Sequence, residues 1–587
     1  MPVIEIANTD PKPALPRASL PTPADSSPEA MDRALTELAG NLEGWTAVPI
    51  PDRRAILQEL IHDVAAVAPR WADLCRRAEG IAPQVPTAGE EWLVGPYMVL
   101  RNLQLLDRAL GGIERCGHPA VPGPVRRRPS GQVTAQVFPD TVWDRVFYAG
   151  VTAEVWMDPE VRPEDLAETQ AVHYARGDSA GGVSLVLGAG NVSSIGPMDA
   201  LYKLFVENQV VMLKMHPVNA YLGPLIQEGF QALVDWGVLR LAYGGVDVGG
   251  YLCSHEDVDE IHITGSDKTV EAIVFGAGEE GRRNKAAGRR INTKPITSEL
   301  GNVSPVIVVP GPWSPKDLAY HGENIASMLT NNAGFNCNAA RVLIQHRGWG
   351  HRGALWDQVR RAVDAVPTRH AYYPGAAERY EDFVSSADDA LELGLPVRDL
   401  ELPWALIPDV DPEKGDSLYF RREAFCGVMS ETALDAASPA EFLDRAVEFC
   451  NDTLWGTLNA TVIVHPKSLA DPETAAAFEG ALEGLRYGTV AVNCWAAVGY
   501  GLVISPWGAY PGHDVDDIQS GSGFVHNTLM FDRIQKTVVR TPFRMSPKPL
   551  WFSSHATALE MARKVTEFEE DPSVLKLPGI FWEALRG

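Results

Sequence analysis

The sequence predicts an α/β protein with two parallel-rich sheets, and three observations carry that prediction. Residues 181–215 read as strand, helix, strand: the apolar run GGVSLVLGAG ends in glycine, PMDALYKLFVENQ sets Leu201, Leu204 and Phe205 on one side, and VVMLKM follows. The pattern then recurs, with PLIQEGFQALVDWG before VLRLAYGG, and EIHITGS before the helical DKTVEAIVFG. Such βαβ units are held by parallel sheets. A second set of strand candidates, ELGNVSPVIVV, ARVLIQH, NATVIVH and YGTVAVN, is separated by helical stretches such as SPAEFLDRAVEFCND and predicts a second α/β domain.

The flanks follow from composition and period. Residues 1–28 are rich in Pro, Ser and Ala and predict a loose N-terminal arm. From Glu29 to Gly112 apolar residues recur at spacings of three and four, as in AMDRALTELAGNLEGW and RRAILQELIHDVAAVAPRWADLCRRA, which predicts surface helices. PAVPGPVRRRPSGQVTA reads as a connection whose arginines are solvated. Near the other end, IQKTVVRTPF alternates apolar and polar residues and predicts an exposed strand, open to pairing with another subunit. The basic stretch GEEGRRNKAAGRRINTK reads as a mobile surface loop or a phosphate contact. The tail after residue 545 is aromatic enough to predict a packed segment over a tunnel mouth or another subunit.

Bulk composition excludes several function classes. With 45% apolar and 22% charged residues in 587, the chain is globular, and no apolar run is long enough to span a bilayer. A formal charge of −25 speaks against nucleic acid as a partner, because phosphate backbones need clustered Lys and Arg. The start has neither the basic nor the apolar region of a secretory signal, and the seven cysteines form no CxxC pair; a cytoplasmic setting without disulfides is expected. The 14 histidines form no HExxH, and no metal site is expected.

The chemistry concentrates in NNAGFNCNAARV, where Cys337 lies among small and amide side chains. A thiol of ordinary pKa, about 8.5, is only slightly ionised at neutral pH, so a nucleophilic Cys337 needs a base. Strand EIHITGS stops at Gly265-Ser266 before a helix, a geometry that offers backbone N–H groups and a dipole end to an anion.

Taken together, five segments resemble the aldehyde dehydrogenase superfamily, over most of the chain. NNAGFNCNAARV resembles its nucleophile segment, matching at Asn332, Gly334 and Cys337, with Phe335 in place of the usual Gln and Arg341 one residue early. TKPITSELGNVSPVIV resembles the segment that carries the general base, which implies that role for Glu299. In LGAGNVSSIGPMDALYKLFVENQVVMLKMHPV, Asn191 and Lys214 stand 23 positions apart, the family's register between an oxyanion-binding Asn and a cofactor-binding Lys. Pro217 falls where many NAD-preferring members have a Glu for the adenosine ribose, so NAD and NADP both remain candidates. EIHITGSDKTV resembles the turn under the cofactor pyrophosphate, implying Gly265 and Ser266, and REAFCGVMS the segment at the nicotinamide ribose, implying Glu423 and Phe425.

The resemblance implies a Rossmann-like cofactor domain (29–135 and 180–300), a catalytic domain (301–505), a small β oligomerisation extension (136–179 and 506–545) and a tail (546–587). It implies NAD(P)-dependent oxidation of a small-molecule aldehyde to a carboxylic acid through a thioester on Cys337, in a homodimer or homotetramer. An acyl-CoA reductase or CoA-acylating enzyme is the alternative, since LGAGNVSSIG also resembles fatty acyl-CoA reductases, although members acylating coenzyme A typically lack the general-base Glu. A catalytically inactive scaffold on the same fold is the alternative of another class.

Overall fold

The computed structural model describes residues 20–175, 181–396 and 400–587. The helical N-terminal region forms Pro28–Thr46, Ile50–Ala78 and Met98–Cys116. Ser27 caps the first of these, and its buried stripe of Met31, Leu35, Leu38 and Trp45 packs against the first sheet. Buried Arg53 ties the second helix to that region by donating to the carbonyls of Trp45 and Val48 and to Asn208 Oδ1.

The first sheet has six strands in the order Gly521–Ser522, Ile296–Leu300, Glu260–Gly265, Val183–Leu187, Val210–Lys214, Leu239–Ala242. All pairs are parallel except the two-residue outer strand. Strand Val183–Leu187 has its sequence successor on one side and Glu260–Gly265 on the other, so the order reverses there. A crevice outside the carboxyl ends at such a reversal is where open α/β sheets bind ligands.

The second sheet has eleven strands, ordered Val125–Arg127, Val133–Phe138, Thr152–Met157, Ile534–Arg540, Thr489–Val492, Asn459–Ile463, Pro305–Val308, Val342–His346, Val428–Leu434, Trp404–Ile407, Leu391–Leu393. From Ile534–Arg540 to Trp404–Ile407 every pairing is parallel.

Several expectations are corrected. The β extension is not a separate unit: its strands Val133–Phe138, Thr152–Met157 and Ile534–Arg540 continue the second sheet within one chain. Ile534–Arg540 is not exposed, being paired with Thr152–Met157 on one side and Thr489–Val492 on the other. The polar residue that suggested a solvent face, Lys536, is wholly buried and donates to the carbonyls of Leu482, Glu483 and Leu485 at the end of helix Pro472–Gly484. A cation there satisfies orphan carbonyls, and burial pulls its pKa down to about 7. Residues 125–127, read as a connection, form an outer strand, and Arg128 stacks 3.9 Å over Trp156 while pairing with Glu479 and Glu483.

Gly521–Ser522, assigned to the extension, joins the first sheet beside Glu299. The basic stretch forms helix Gly278–Ala286, with Lys285 paired to Glu271 and Arg290 to Asp516. Of the N-terminal arm, residues 1–19 lie outside the described residues. The described part is not loose: Leu20 packs on the core and Ser26 is hydrogen-bonded to Tyr243.

Candidate active site

Cys337 follows a left-handed turn. Asn332, Ala333 and Gly334 have φ of 50°, 54° and 79°, a costly run for the first two, which persists only where contacts over-determine it. Asn332 Nδ2 donates to the carbonyl of Asn191 at 2.9 Å, its Oδ1 accepts from Tyr372 Oη at 2.8 Å, and its backbone N–H donates to Glu90 at 3.2 Å. Arg341 is buried and donates to the carbonyls of Gly334 and Cys426, each at 2.6 Å. Only glycine fits at 334, because a Cβ there would stand 2.6 Å from the Cys426 carbonyl group.

Three sequence-predicted residues meet at this turn. Glu299, on strand Ile296–Leu300 and 5% exposed, lies close enough to Cys337 for its carboxyl to bear on the thiol. Burial raises the Glu299 pKa to about 7, which the Trp507 indole N–H, 3.0 Å from Oε1, partly offsets. Cys337 is pushed well above the usual thiol range, first by burial and then by the charges of Glu299 and Glu423. Asn191 Nδ2 donates to the Phe335 carbonyl at 2.9 Å; an amide nitrogen carries a second hydrogen, and Asn191 faces the same cavity as Cys337.

The remaining predicted residues lie along the crevice. Lys214 ends strand Val210–Lys214, and burial lowers its pKa to about 8. Gly265 ends strand Glu260–Gly265, and Ser266 caps helix Asp267–Phe275 by accepting from Thr269 N–H at 3.3 Å. Through that bond this chain's own side chain already uses part of the turn's donor set. Glu423 packs on Gly301, where a Cβ would stand 2.0 Å from its Oε2. Its Oε1 is buried without a hydrogen-bond partner, and burial raises its pKa to about 8 against the pull of Arg341 and Arg379. Phe425 has φ of 43°, an outlier for a bulky residue, and its ring lies 6.1 Å from that of Phe335.

Phe335 stands two positions before Cys337 in the chain. It is 1% exposed, packed against Tyr372, Tyr373 and Phe425, and does not line the cavity at Cys337. Its backbone carbonyl is what bears on the site.

That cavity measures about 900 Å³ and is mainly apolar, with Val94, Met98, Phe147, Trp495, Met561, Phe568 and Ile580 in its wall. The tail is therefore part of the site. Gln104 Nε2 donates to the Glu569 and Glu570 carbonyls, Arg101 pairs with Asp144 at 2.9 Å and Glu569 at 3.6 Å, and Phe568 meets Trp143 and Phe147 edge to face.

Comparison with known proteins bears on this arrangement. The family model described as the aldehyde dehydrogenase family matches residues 144–369, a span holding Asn191, Lys214, Gly265, Ser266, Glu299 and Cys337. Over that span the chain is similar to the aldehyde dehydrogenase family. An aldehyde dehydrogenase of Enchytraeus buchholzi is 27% identical over 351 residues, 56% of this chain and 61% of that protein. The human 4-trimethylaminobutyraldehyde dehydrogenase is 34% identical over 131 residues, 22% of this chain and 23% of that protein. The chain thus matches less than two thirds of the length of these relatives. A solved indole-3-acetaldehyde dehydrogenase complexed with NAD+ has TM-score 0.60 at 18% identity, covering 88% of this chain and 90% of its own. The gamma-glutamyl-gamma-aminobutyraldehyde dehydrogenase of Burkholderia cenocepacia has TM-score 0.59 at 19% identity, over 89% and 90%. These neighbours show that the fold is shared.

Residue patterns alone did not single out Trp507, Tyr372 or Glu90, which hold Glu299 and the turn before Cys337. Their partners are 208, 40 and 242 positions away in the chain. The tryptophan of PWG at 506–508 was the available signal. Among the described residues no group of three His, Cys, Asp or Glu side chains could hold a metal ion, and no helix is long and apolar enough to cross a membrane.

Proposed function

We propose that this protein oxidises an apolar aldehyde to its carboxylic acid with NAD(P), through a thioester on Cys337. The observation that carries the reading is the buried Glu299 carboxyl beside Cys337, a residue that lines a mainly apolar cavity.

The residues present fit a dinucleotide. Glu423 has a buried oxygen with no partner, suited to ribose hydroxyls, and Lys214 lies at a strand end in the crevice. Gly265, Ser266 and Phe425 complete the binding set by family likeness. The nicotinamide, when bound, supplies the hydride acceptor.

The chain's residues do the rest. Glu299, deprotonated, takes the thiol proton, and the sulfur attacks the aldehyde carbon. The second Asn191 N–H and the Cys337 backbone N–H meet the oxyanion; one such donor contributes about 3 to 4 kcal/mol to lowering the barrier. After loss of hydride the acyl group is held on sulfur as a thioester. Glu299, having passed that first proton to solvent, then draws a proton from water; the hydroxide equivalent attacks the thioester carbon, the carbon–sulfur bond breaks, and the acid leaves as the Cys337 thiolate is expelled. Burying the thiol beside two carboxyls keeps it neutral until the site is loaded, which protects it from adventitious oxidation.

The base must be ionised, so its raised pKa fixes the sign of the pH profile. Thioester hydrolysis is expected to fall as pH drops through about 7, well above the ordinary carboxylate range. Trp507→Phe removes the donor that favours the carboxylate, so that limb should move to higher pH; single-turnover hydrolysis across pH reads it. An unmoved limb would exclude Glu299 as the titrating base.

The cavity sets the substrate class. About 900 Å³ of mainly apolar wall suits a long-chain or ring-bearing aldehyde rather than a short polar one. Met561→Trp fills that space from the tail and should raise KM about tenfold for the longest aldehydes while sparing short ones. A panel of aldehydes of increasing chain length, with NAD and NADP in parallel, tests the whole proposal. Acid release with nucleotide reduction supports it. Reduction of acyl-CoA without acid release from aldehyde would favour the reductase, and no nucleotide-induced shift in melting temperature would favour a scaffold. Assembly as a homodimer or homotetramer and a cytoplasmic setting belong to the same proposal.

A further inference from the structure

The second strand of a dinucleotide-binding βαβ unit ordinarily ends near a carboxylate that accepts hydrogen bonds from the adenosine ribose. Here the second strand, Val210–Lys214, is followed by Met215, His216 and Pro217, and the first acid downstream is Glu228, which is engaged 2.5 Å from Arg70. The carboxylate is missing from its place in the chain.

A different segment brings one there. Ser26 N–H donates to the Tyr243 carbonyl at 2.8 Å and Ser26 Oγ accepts from Tyr243 N–H at 3.0 Å, which fastens the arm to the end of strand Leu239–Ala242. That strand end is level with Lys214: Lys214 is in register with Ala242, and Met215 N–H donates to the Ala242 carbonyl at 2.9 Å. The adjacent Asp25 packs over Gly244, where a Cβ would lie 3.3 Å from the Asp25 carboxyl carbon. Gly244 has φ of 138° and no side chain to displace it. Among the described residues Asp25 is the one carboxylate whose charge bears on Lys214. Asp25 is exposed, so its oxygens are open to a ligand in the crevice.

We propose that Asp25 supplies the adenosine-ribose carboxylate from the N-terminal arm and so makes the protein prefer NAD to NADP. Its oxygens accept from the 2′- and 3′-hydroxyls, with Lys214 donating from the opposite side. A 2′-phosphate would bring two negative charges against Asp25 and lose the hydroxyl donor, although Lys214 could meet it once Asp25 is gone. The inference rests on the cofactor reading above and concerns this chain's own replacement for an absent residue.

The test is binding without turnover. Dissociation constants of NAD+ and NADP+ are measured by quenching of tryptophan fluorescence for the full chain, Asp25→Ala and Asp25→Asn. The wild type is expected to bind NAD+ about tenfold or more tighter than NADP+, and Asp25→Ala to weaken NAD+ about tenfold while NADP+ holds or improves. Asp25→Asn, which keeps an acceptor without the charge, should fall between. An unchanged NAD+ to NADP+ ratio in Asp25→Ala, or a wild type without preference, overturns the inference and leaves the cofactor reading intact. Failure of both nucleotides to bind the wild type overturns both. Because Asp25 is exposed, its variants should melt with the wild type, and melting curves confirm that binding rather than folding has changed.

Discussion

Cys337→Ala is expected to lower steady-state aldehyde oxidation by about 10⁴-fold or more, because no other side chain at the site can carry the acyl group. Nucleotide binding should survive, since the turn that holds residue 337 is fastened by Asn332, Arg341 and Tyr372 and not by the sulfur. Two measurements check this: reduced-nucleotide absorbance under aldehyde excess, and the melting shift on adding nucleotide. Undiminished turnover would remove Cys337 as nucleophile and with it the proposed chemistry. Loss of both readouts would indicate a collapsed turn, and Cys337→Ser, nearly isosteric, then separates the two causes.

Glu299→Gln should uncouple the two halves of the reaction. The amide keeps the volume and can still accept the Trp507 N–H, but it cannot take a proton from water. Rapid mixing should show one equivalent of reduced nucleotide and then a stall about 10² to 10⁴-fold below the wild-type steady state. Mass spectrometry of the stalled protein should find the acyl group on Cys337. A variant with the wild-type steady-state rate would show that Glu299 does not activate water.

The candidate site was legible to unequal degrees. Cys337, Glu299 and Asn191 could be named because each sits in a local pattern: a small-residue turn, a strand end, a glycine-ended strand. Trp507 could not, since its claim rests on one hydrogen bond to a residue 208 positions away. Phe335 misled for a related reason: adjacency along the chain says nothing about where a ring points, and a left-handed turn sends this one into an aromatic cluster. Ile534–Arg540 misled because alternation separates a half-buried strand from a helix but does not tell an outer strand from an inner one, and a buried lysine mimics a solvent face.

By itself the sequence determined the α/β class, the first sheet's order of strand and helix, the absence of a long apolar span, and the residue types from which a cysteine-based oxidation could be built. Those are local properties: period, turn chemistry and short motifs. Tertiary structure decided which residues share a space. It carried strand Ile534–Arg540 into the second sheet, set the tail's Met561 and Phe568 in the wall of the cavity that reaches Cys337, and laid Asp25 over Gly244. Contacts of that kind arise when strands and helices bury their apolar faces against partners distant in the chain, and no window of sequence contains them.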